Sequence, residues 1–117
     1  MGKVFINFTN HPSESWEIGQ KKAAEKYGTV KDIAFPEVDP KGDREYIVRM
    51  AEDYAGKIEK MEPAAVLCQG EFSLAYQVIS KLKERNILTL AACSERHVKT
   101  DGREKRITFV FEQFREY

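Results

Sequence analysis

The sequence predicts an α/β fold, a doubly wound parallel sheet built as a single domain from residues 1–117. Short apolar runs typical of buried strands alternate along the chain with longer segments whose apolar residues recur at helical spacing. Near the end, Asp101-Gly102 separates two segments rich in β-formers, which is typical of a hairpin turn. A chain of 117 residues is long enough to bury one core without disulfide or metal staples.

The element order follows from these patterns. In chain order the prediction is strand one 3–8, helix one 15–27, strand two 29–35, helix two 43–61, strand three 64–68, helix three 71–85, strand four 87–92, and a hairpin with arms 98–99 and 106–111. Ser13 or Ser15 is the expected N-cap of helix one, and Asp43 that of helix two. Asn86 is expected to end helix three in the left-handed conformation.

Strands that alternate with helices favour a parallel sheet with right-handed crossovers. We therefore expect a small three-layer Rossmann-like sandwich with strand order 2-1-3-4, closed by a C-terminal antiparallel hairpin. The segment 93–97 is polar, and we expect it to leave the end of strand four as a loop.

Charge and cysteine content narrow the classes of function. The 19 basic and 19 acidic residues cancel, which argues against a protein that coats long nucleic acids and leaves room for a small anionic ligand. No apolar run approaches the length of a membrane span, and no signal peptide precedes strand one, so we expect a cytoplasmic protein. Cys68 and Cys93 lack metal-site spacing, so we expect reduced core thiols, no metal site and no cofactor.

Candidate site residues follow from the fold. Open α/β sheets bind ligands beyond the carboxyl ends of their strands, where the strand order reverses, here between strands one and three. The polar residues that leave those ends, with those after strand four, are Thr9, Asn10, His11, Gln69, Gly70, Glu71, Ser94, Glu95 and Arg96. Four polar clusters, one of them Glu37 after strand two, would then meet at one edge of the sheet.

Each candidate also has a structural alternative. Gly70 either lets an anion approach the free N–H groups of helix three or simply permits a tight turn. Glu71 either takes part in acid–base chemistry or satisfies the helix dipole. His11 either moves a proton or caps helix one, and Arg96 either binds phosphate or forms a solvated ion pair with Glu95.

Common nucleotide-binding and hydrolase motifs are absent from the sequence, including the P-loop, the GxGxxG fingerprint and the GxSxG elbow. Four other motifs carry a resemblance: Asn-Phe-Thr-Asn-His-Pro at the end of strand one, Gln-Gly-Glu-Phe at the end of strand three, Ala-Cys-Ser-Glu-Arg at the end of strand four, and the final Phe-Glu-Gln-Phe-Arg-Glu-Tyr. Over nearly its whole length the chain resembles small standalone CRISPR-associated proteins of type III systems, of the Rossmann-like ring-nuclease group.

The resemblance implies a homodimer that binds cyclic oligoadenylate, with the tetra-adenylate ring as the expected ligand, and cleaves it to end antiviral signalling. His11, Glu71 and Glu95 are the expected catalytic residues of a metal-independent cleavage that leaves a 2′,3′-cyclic phosphate. The expected ligand-binding residues are Thr9, Asn10, Gln69, Gly70, Ser94 and Arg96. Gly19, expected in the middle of helix one, departs from a strong helix pattern. A sensor that binds without cleaving, and an unrelated nucleotide-binding Rossmann protein, remain alternatives.

Overall fold

Strands and helices alternate along residues 2–117, the part of the chain that the computed structural model describes. The elements are β1 Val4–Phe8, a 3-10 turn Ser13–Ser15, α1 Ile18–Glu25, β2 Thr29–Asp32, α2 Arg44–Lys60, β3 Ala65–Cys68, α3 Phe72–Glu84, β4 Thr89–Asp101 and β5 Glu104–Glu116. Within the described chain, none of the helices is both long enough and apolar enough to cross a membrane.

The five strands form one mixed sheet in the order β2-β1-β3-β4-β5. The pairs β1–β2, β1–β3 and β3–β4 are parallel, whereas β4 and β5 form an antiparallel ribbon. The predicted order of the first four strands and the C-terminal hairpin are therefore confirmed. Gly102 turns the hairpin with φ +62°, a conformation that favours glycine.

Alternating residues of the short central strands fill two separate cores, one on each face of the sheet. On one face, Ile6, Phe8, Val66 and Cys68 pack against the apolar stripes of α2 and α3. On the other face, Phe5, Ala65, Leu67 and Leu90 pack with Ala24 of α1 and with Trp16. Both faces of β1 and β3 are buried, which explains the continuous apolar run of β3.

The predicted helix ends are confirmed in part. Asp43 caps α2, because its Oδ1 accepts a hydrogen bond from the Tyr46 backbone N–H at 2.9 Å, and Asn86 has φ +59° just after α3. The expected N-cap of helix one is wrong, since Ser13 and Ser15 lie in the 3-10 turn. The Ser15 hydroxyl donates to the carbonyl oxygen of Pro12, so it does not cap a helix. Gly19 consequently lies in the first turn of α1, not its middle.

Strand four is longer than predicted. We expected it to end at Ala92, but β4 continues through the polar segment to Asp101. Its ladder with β5 runs through that whole segment, and its register shifts between Cys93 and Ser94, where Glu112 of β5 is the extra residue of a bulge. Backbone hydrogen bonds from a partner strand keep polar residues extended where the side-chain pattern alone indicates a loop. As a result Ser94, Glu95 and Arg96 lie within a strand.

Candidate functional site

A cleft of about 570 Å³ opens at the carboxyl ends of β1 and β3. It lies on the α1 side of the sheet, because Trp16 and Leu67 of that core line it. Six of the nine predicted site residues line the cleft together: Thr9, Asn10, His11, Gln69, Gly70 and Ser94. The switch point between β1 and β3 thus carries the cavity that the strand order predicts.

The loop after β1 is held in place by a buried hydrogen-bond network. Asn7 is 1% exposed, and its Nδ2 donates to the His11 carbonyl oxygen at 2.8 Å and to Asp32 Oδ1 at 3.1 Å. The Thr9 hydroxyl donates to Asn7 Oδ1 at 2.8 Å and accepts the His11 backbone N–H at 3.1 Å. Asp32 Oδ2 also accepts the Ser13 backbone N–H at 3.1 Å. The network fixes the backbone of His11 and leaves its exposed side chain at the cleft.

Gln69 and Gly70 shape the floor of the cleft after β3. Gln69 Oε1 accepts the backbone N–H of Ala92 at 2.7 Å, which ties the end of β3 to β4. A Cβ on Gly70 would lie 2.6 Å from the ring of Phe35. The absence of a side chain at Gly70 therefore accommodates an internal aromatic ring, on the face opposite α1.

Glu71 is the N-cap of α3. Its carboxylate accepts the backbone N–H groups of Ser73 and Leu74 at 2.9 and 3.0 Å, and the Ser73 hydroxyl at 2.6 Å. The Ser73 hydroxyl, and then the backbone N–H of Ser73, lower the pKa of Glu71 below its ordinary range. The chain's own carboxylate therefore occupies the helix N-terminus that was one alternative site for an anion, which agrees with the structural alternative for Glu71.

The three candidates from β4 do not share one environment. Ser94 lines the cleft, and Arg96, two residues further along the strand, lies on the same face of the ribbon. Arg96 is the ladder partner of Phe109, which also lines the cleft. Glu95 points to the opposite face, where its Oε1 lies 3.6 Å from His97 Nε2. The structural alternative, an ion pair between Glu95 and Arg96, is wrong, because their side chains lie on opposite faces and Glu95 lies beside His97 instead.

Several lining residues were missed from the sequence. The cleft also contains Trp16, Glu17, Gln20, Phe109 and Phe111. Of the three phenylalanines of β5, Phe114 packs into the core beside Phe5 and Trp16. The alternation of Phe109 and Phe111 on one strand face was the available signal. For Glu17 the sequence carried no signal, because its place in the cleft depends on where α1 begins.

A second, larger groove of about 930 Å³ lies along α3 beside Tyr117. Its walls are mainly apolar, with Phe72 and Tyr76 strongly exposed. The Tyr117 hydroxyl donates to the Cys68 carbonyl oxygen at 2.7 Å, which fixes that end of β5 to β3. Polar side chains from distant parts of the chain converge in the smaller cleft instead, so the smaller cleft is the candidate site.

In residues 2–117 no group of three or more His, Cys, Asp or Glu side chains is placed to hold a metal ion. Comparison with known proteins returned no matching curated protein and no matching solved structure. A family model does match residues 3–115, which is nearly the whole chain. The chain therefore belongs to the family described as the uncharacterized protein MJ1673 family.

Proposed function

We propose that this protein is a cytoplasmic ring nuclease that binds cyclic oligoadenylate, with the tetra-adenylate ring as its preferred substrate, and cleaves it to end type III CRISPR signalling. One observation carries the proposal. Polar residues after β1 and β3 and from β4 converge on one cleft at the sheet's switch point. Helices pack on both faces of the sheet, which supports a doubly wound, Rossmann-like arrangement for the domain.

The lining of the cleft suits a nucleotide. Phe109 and Phe111 offer aromatic surface on which bases stack, and Gln69 and Asn10 offer hydrogen bonds to base or ribose. Arg96, on the same face just beyond Ser94, supplies a planar fork of donors for a phosphate. A volume of about 570 Å³ fits a small ligand, whereas a cyclic tetranucleotide is larger. Two copies of the cleft in a homodimer would share such a ring.

The chemistry uses the substrate's own nucleophile. The ribose 2′-oxygen attacks the adjacent phosphorus and loses its proton to a base, while the bond from phosphorus to the 5′-oxygen breaks. That oxygen takes a proton from an acid, leaving a 2′,3′-cyclic phosphate and a 5′-hydroxyl group. His11 and Glu17 are the ionisable side chains of the lining, and we propose that His11 moves the proton on one side of the reaction. Arg96 would stabilise charge on the phosphorane.

Roles for the other two acids change in this proposal. Glu71 already accepts hydrogen bonds from the first turn of α3, so it holds the helix that follows Gly70. Glu95 lies on the far face of the ribbon beside His97. We therefore propose Glu17, rather than Glu71 or Glu95, as the partner of His11 in proton transfer.

The test is incubation with cyclic tetra- and hexa-adenylate, with products separated by chromatography. We expect cleavage in the presence of EDTA, with cyclic-phosphate ends, and a rate about 10²-fold lower for His11→Ala. His97→Ala is the matched control, since it removes the other histidine from the opposite face of β4, and we expect it to leave the rate unchanged. Products with a free 3′-hydroxyl, or a strict need for Mg²⁺, would contradict the mechanism. Tight binding without products would favour the sensor alternative.

A further inference from the structure

The outer edge of β5 is a long strand edge. β5 is the last strand in the sheet order, and in residues 2–117 it pairs with β4 alone. It spans Glu104–Glu116 without a proline, so a row of N–H and C=O groups faces away from the sheet. Ile107, Phe109 and Val110 are 46%, 62% and 38% exposed along it. Proteins usually shorten, charge or cover such an edge.

We propose that a second copy of this chain covers it, through antiparallel pairing of β5 with the partner's β5. A two-fold axis perpendicular to the sheet relates two identical antiparallel strands, and it must pass beside one residue that faces its own copy. The axis we infer passes beside Phe109. This register sets apolar side chains against apolar ones, with Phe109 against the partner's Phe109 and Ile107 against the partner's Phe111. Thr108, a β-branched residue, lies against the partner's Val110.

Charge selects this register over its neighbours. With the axis at Phe109, Arg106 lies opposite the partner's Glu112 at both ends of the paired stretch. Moving the axis to Thr108 sets Glu104 against the partner's Glu112. Moving it to Val110 brings Arg106 against the partner's Arg115, because the bulge at Glu112 shifts the residues after it by one position. Like charges directly opposite each other destabilise a strand pair, so both neighbouring registers are disfavoured.

The pairing has a consequence for the cleft, and this part rests on the proposed function. Directly opposed residues of paired strands point to the same face, so the two α1 faces would lie on one side of a continuous sheet. Phe109 lines the cleft, and the partner's Phe109 would stand next to it across the axis. The two clefts would then flank the axis on one surface, as a shared ring-shaped anion requires.

Cysteine crosslinking without nucleotide tests the pairing. In a Cys93→Ser background, Phe109→Cys should form a disulfide-linked dimer under mild oxidation, because facing residues of antiparallel strands lie within disulfide range. Val98→Cys is the matched control: it is similarly exposed, on the same face, but one strand further from the axis. Crosslinking at Phe109→Cys and not at Val98→Cys supports the inference. No crosslink at Phe109→Cys, or equal crosslinking at both positions, overturns it.

Charge reversal gives an independent reading by light scattering or sedimentation. Glu112→Arg should weaken the dimer roughly tenfold, and adding Arg106→Glu should restore it, because the reversed pair again has opposite signs. A dimer insensitive to both changes overturns the register. Unsubstituted protein that is dimeric but fails to bind cyclic tetra-adenylate would instead refute the proposed function and leave the pairing intact, so the two failures are distinguishable.

Discussion

The ring of Phe35 fills the space in which a side chain on Gly70 would begin. A Cβ on Gly70 would lie 2.6 Å from three ring carbons of Phe35, closer than real Cβ contacts allow. Phe35 has little room to yield, since it is 6% exposed and its ring centroid lies 4.9 Å from that of Phe8. The glycine at the end of β3 is therefore a packing requirement of the core.

Gly70→Ala should lower the free energy of unfolding by about 1–3 kcal/mol, the usual cost of overpacking a filled core. Urea denaturation of the variant and the parent measures the difference. Gly19→Ala is the control, because Gly19 lies in α1 with nothing within 4 Å of a new Cβ. Replacing a helical glycine with alanine should instead raise stability by up to about 1 kcal/mol. Equal stability of Gly70→Ala and the parent would show that Phe35 relaxes.

The strand order was predictable because it follows from local patterns. Apolar runs and helical spacing are read from neighbouring residues, and the parallel order then follows from crossover rules. The contact of Gly70 with Phe35 was not predictable, because it joins segments that only the folded chain brings together. The same holds for β4, whose extension past Cys93 depends on a ladder with residues that come later in the chain.

The cap on α3 makes stability depend on pH. Hydrogen bonds from the hydroxyl and backbone N–H of Ser73 hold the pKa of Glu71 below its ordinary value of about 4.3. A depressed folded-state pKa contributes stability that is fully present above the unfolded-state pKa. That stability is lost as the pH falls through the lower, folded-state pKa.

Glu71→Gln should therefore cost about 0.5–2 kcal/mol at pH 7. The difference from the parent should shrink as the pH falls below about 4, because the parent then loses the charged cap as well. Thermal denaturation between pH 7 and pH 3 measures both effects. Glu45→Gln on α2 is the control, because the Glu45 carboxylate is exposed and its ion pair with Arg49 is long, at 3.9 Å, and therefore weak. A Glu71→Gln difference that stays constant over this range would contradict a role for the charge.

Burial makes one of the two free thiols unreactive. Burial raises the pKa of Cys68 to about 12, so its thiolate, the reactive form, is scarce at neutral pH. Cys93 of β4 is half-buried and lies beside the bulge in β5. With an aromatic disulfide reagent at pH 8, we expect one thiol to react in the native protein and both in denaturant. Cys93→Ser should abolish the native reaction, and a fast native reaction in that variant would show that Cys68 is accessible.

Asn7 was not among the predicted site residues, because it lies inside β1 and the prediction considered residues that follow a strand. A polar side chain in the middle of an otherwise apolar strand was the available signal, since such a group must find partners when buried. Those partners are Asp32 and the loop after β1, which no local pattern identifies. The candidate site was thus predictable in its position and in six lining residues. It was not predictable in the network that holds His11.

Asn7→Ala should lower the free energy of unfolding by about 1–3 kcal/mol, because it leaves buried hydrogen-bonding groups without partners. It should also slow cleavage of cyclic tetra-adenylate, as the backbone of His11 loses its anchor. Asn10→Ala, which changes an exposed residue of the loop after β1, is the control for stability and should leave it within about 0.5 kcal/mol of the parent. Chemical denaturation and a cleavage assay on both variants check the two effects. Normal stability of Asn7→Ala would show that the network does not stabilise the fold.

Arg96 is the residue we expect to contact phosphate, since it lies across the ladder from Phe109 at the rim of the cleft. Arg96→Ala should weaken binding of cyclic tetra-adenylate by roughly 10- to 150-fold, the value of a charge-assisted hydrogen bond of about 1.5–3 kcal/mol. Arg96→Lys should recover only part, because lysine lacks the bidentate fork. A His11→Ala background slows cleavage of the ring during the measurement by calorimetry. Lys99→Ala removes a cation from the opposite face of β4 and should change affinity little. If Arg96→Ala binds as tightly as Lys99→Ala, the phosphates lie elsewhere and the cleft is not the site.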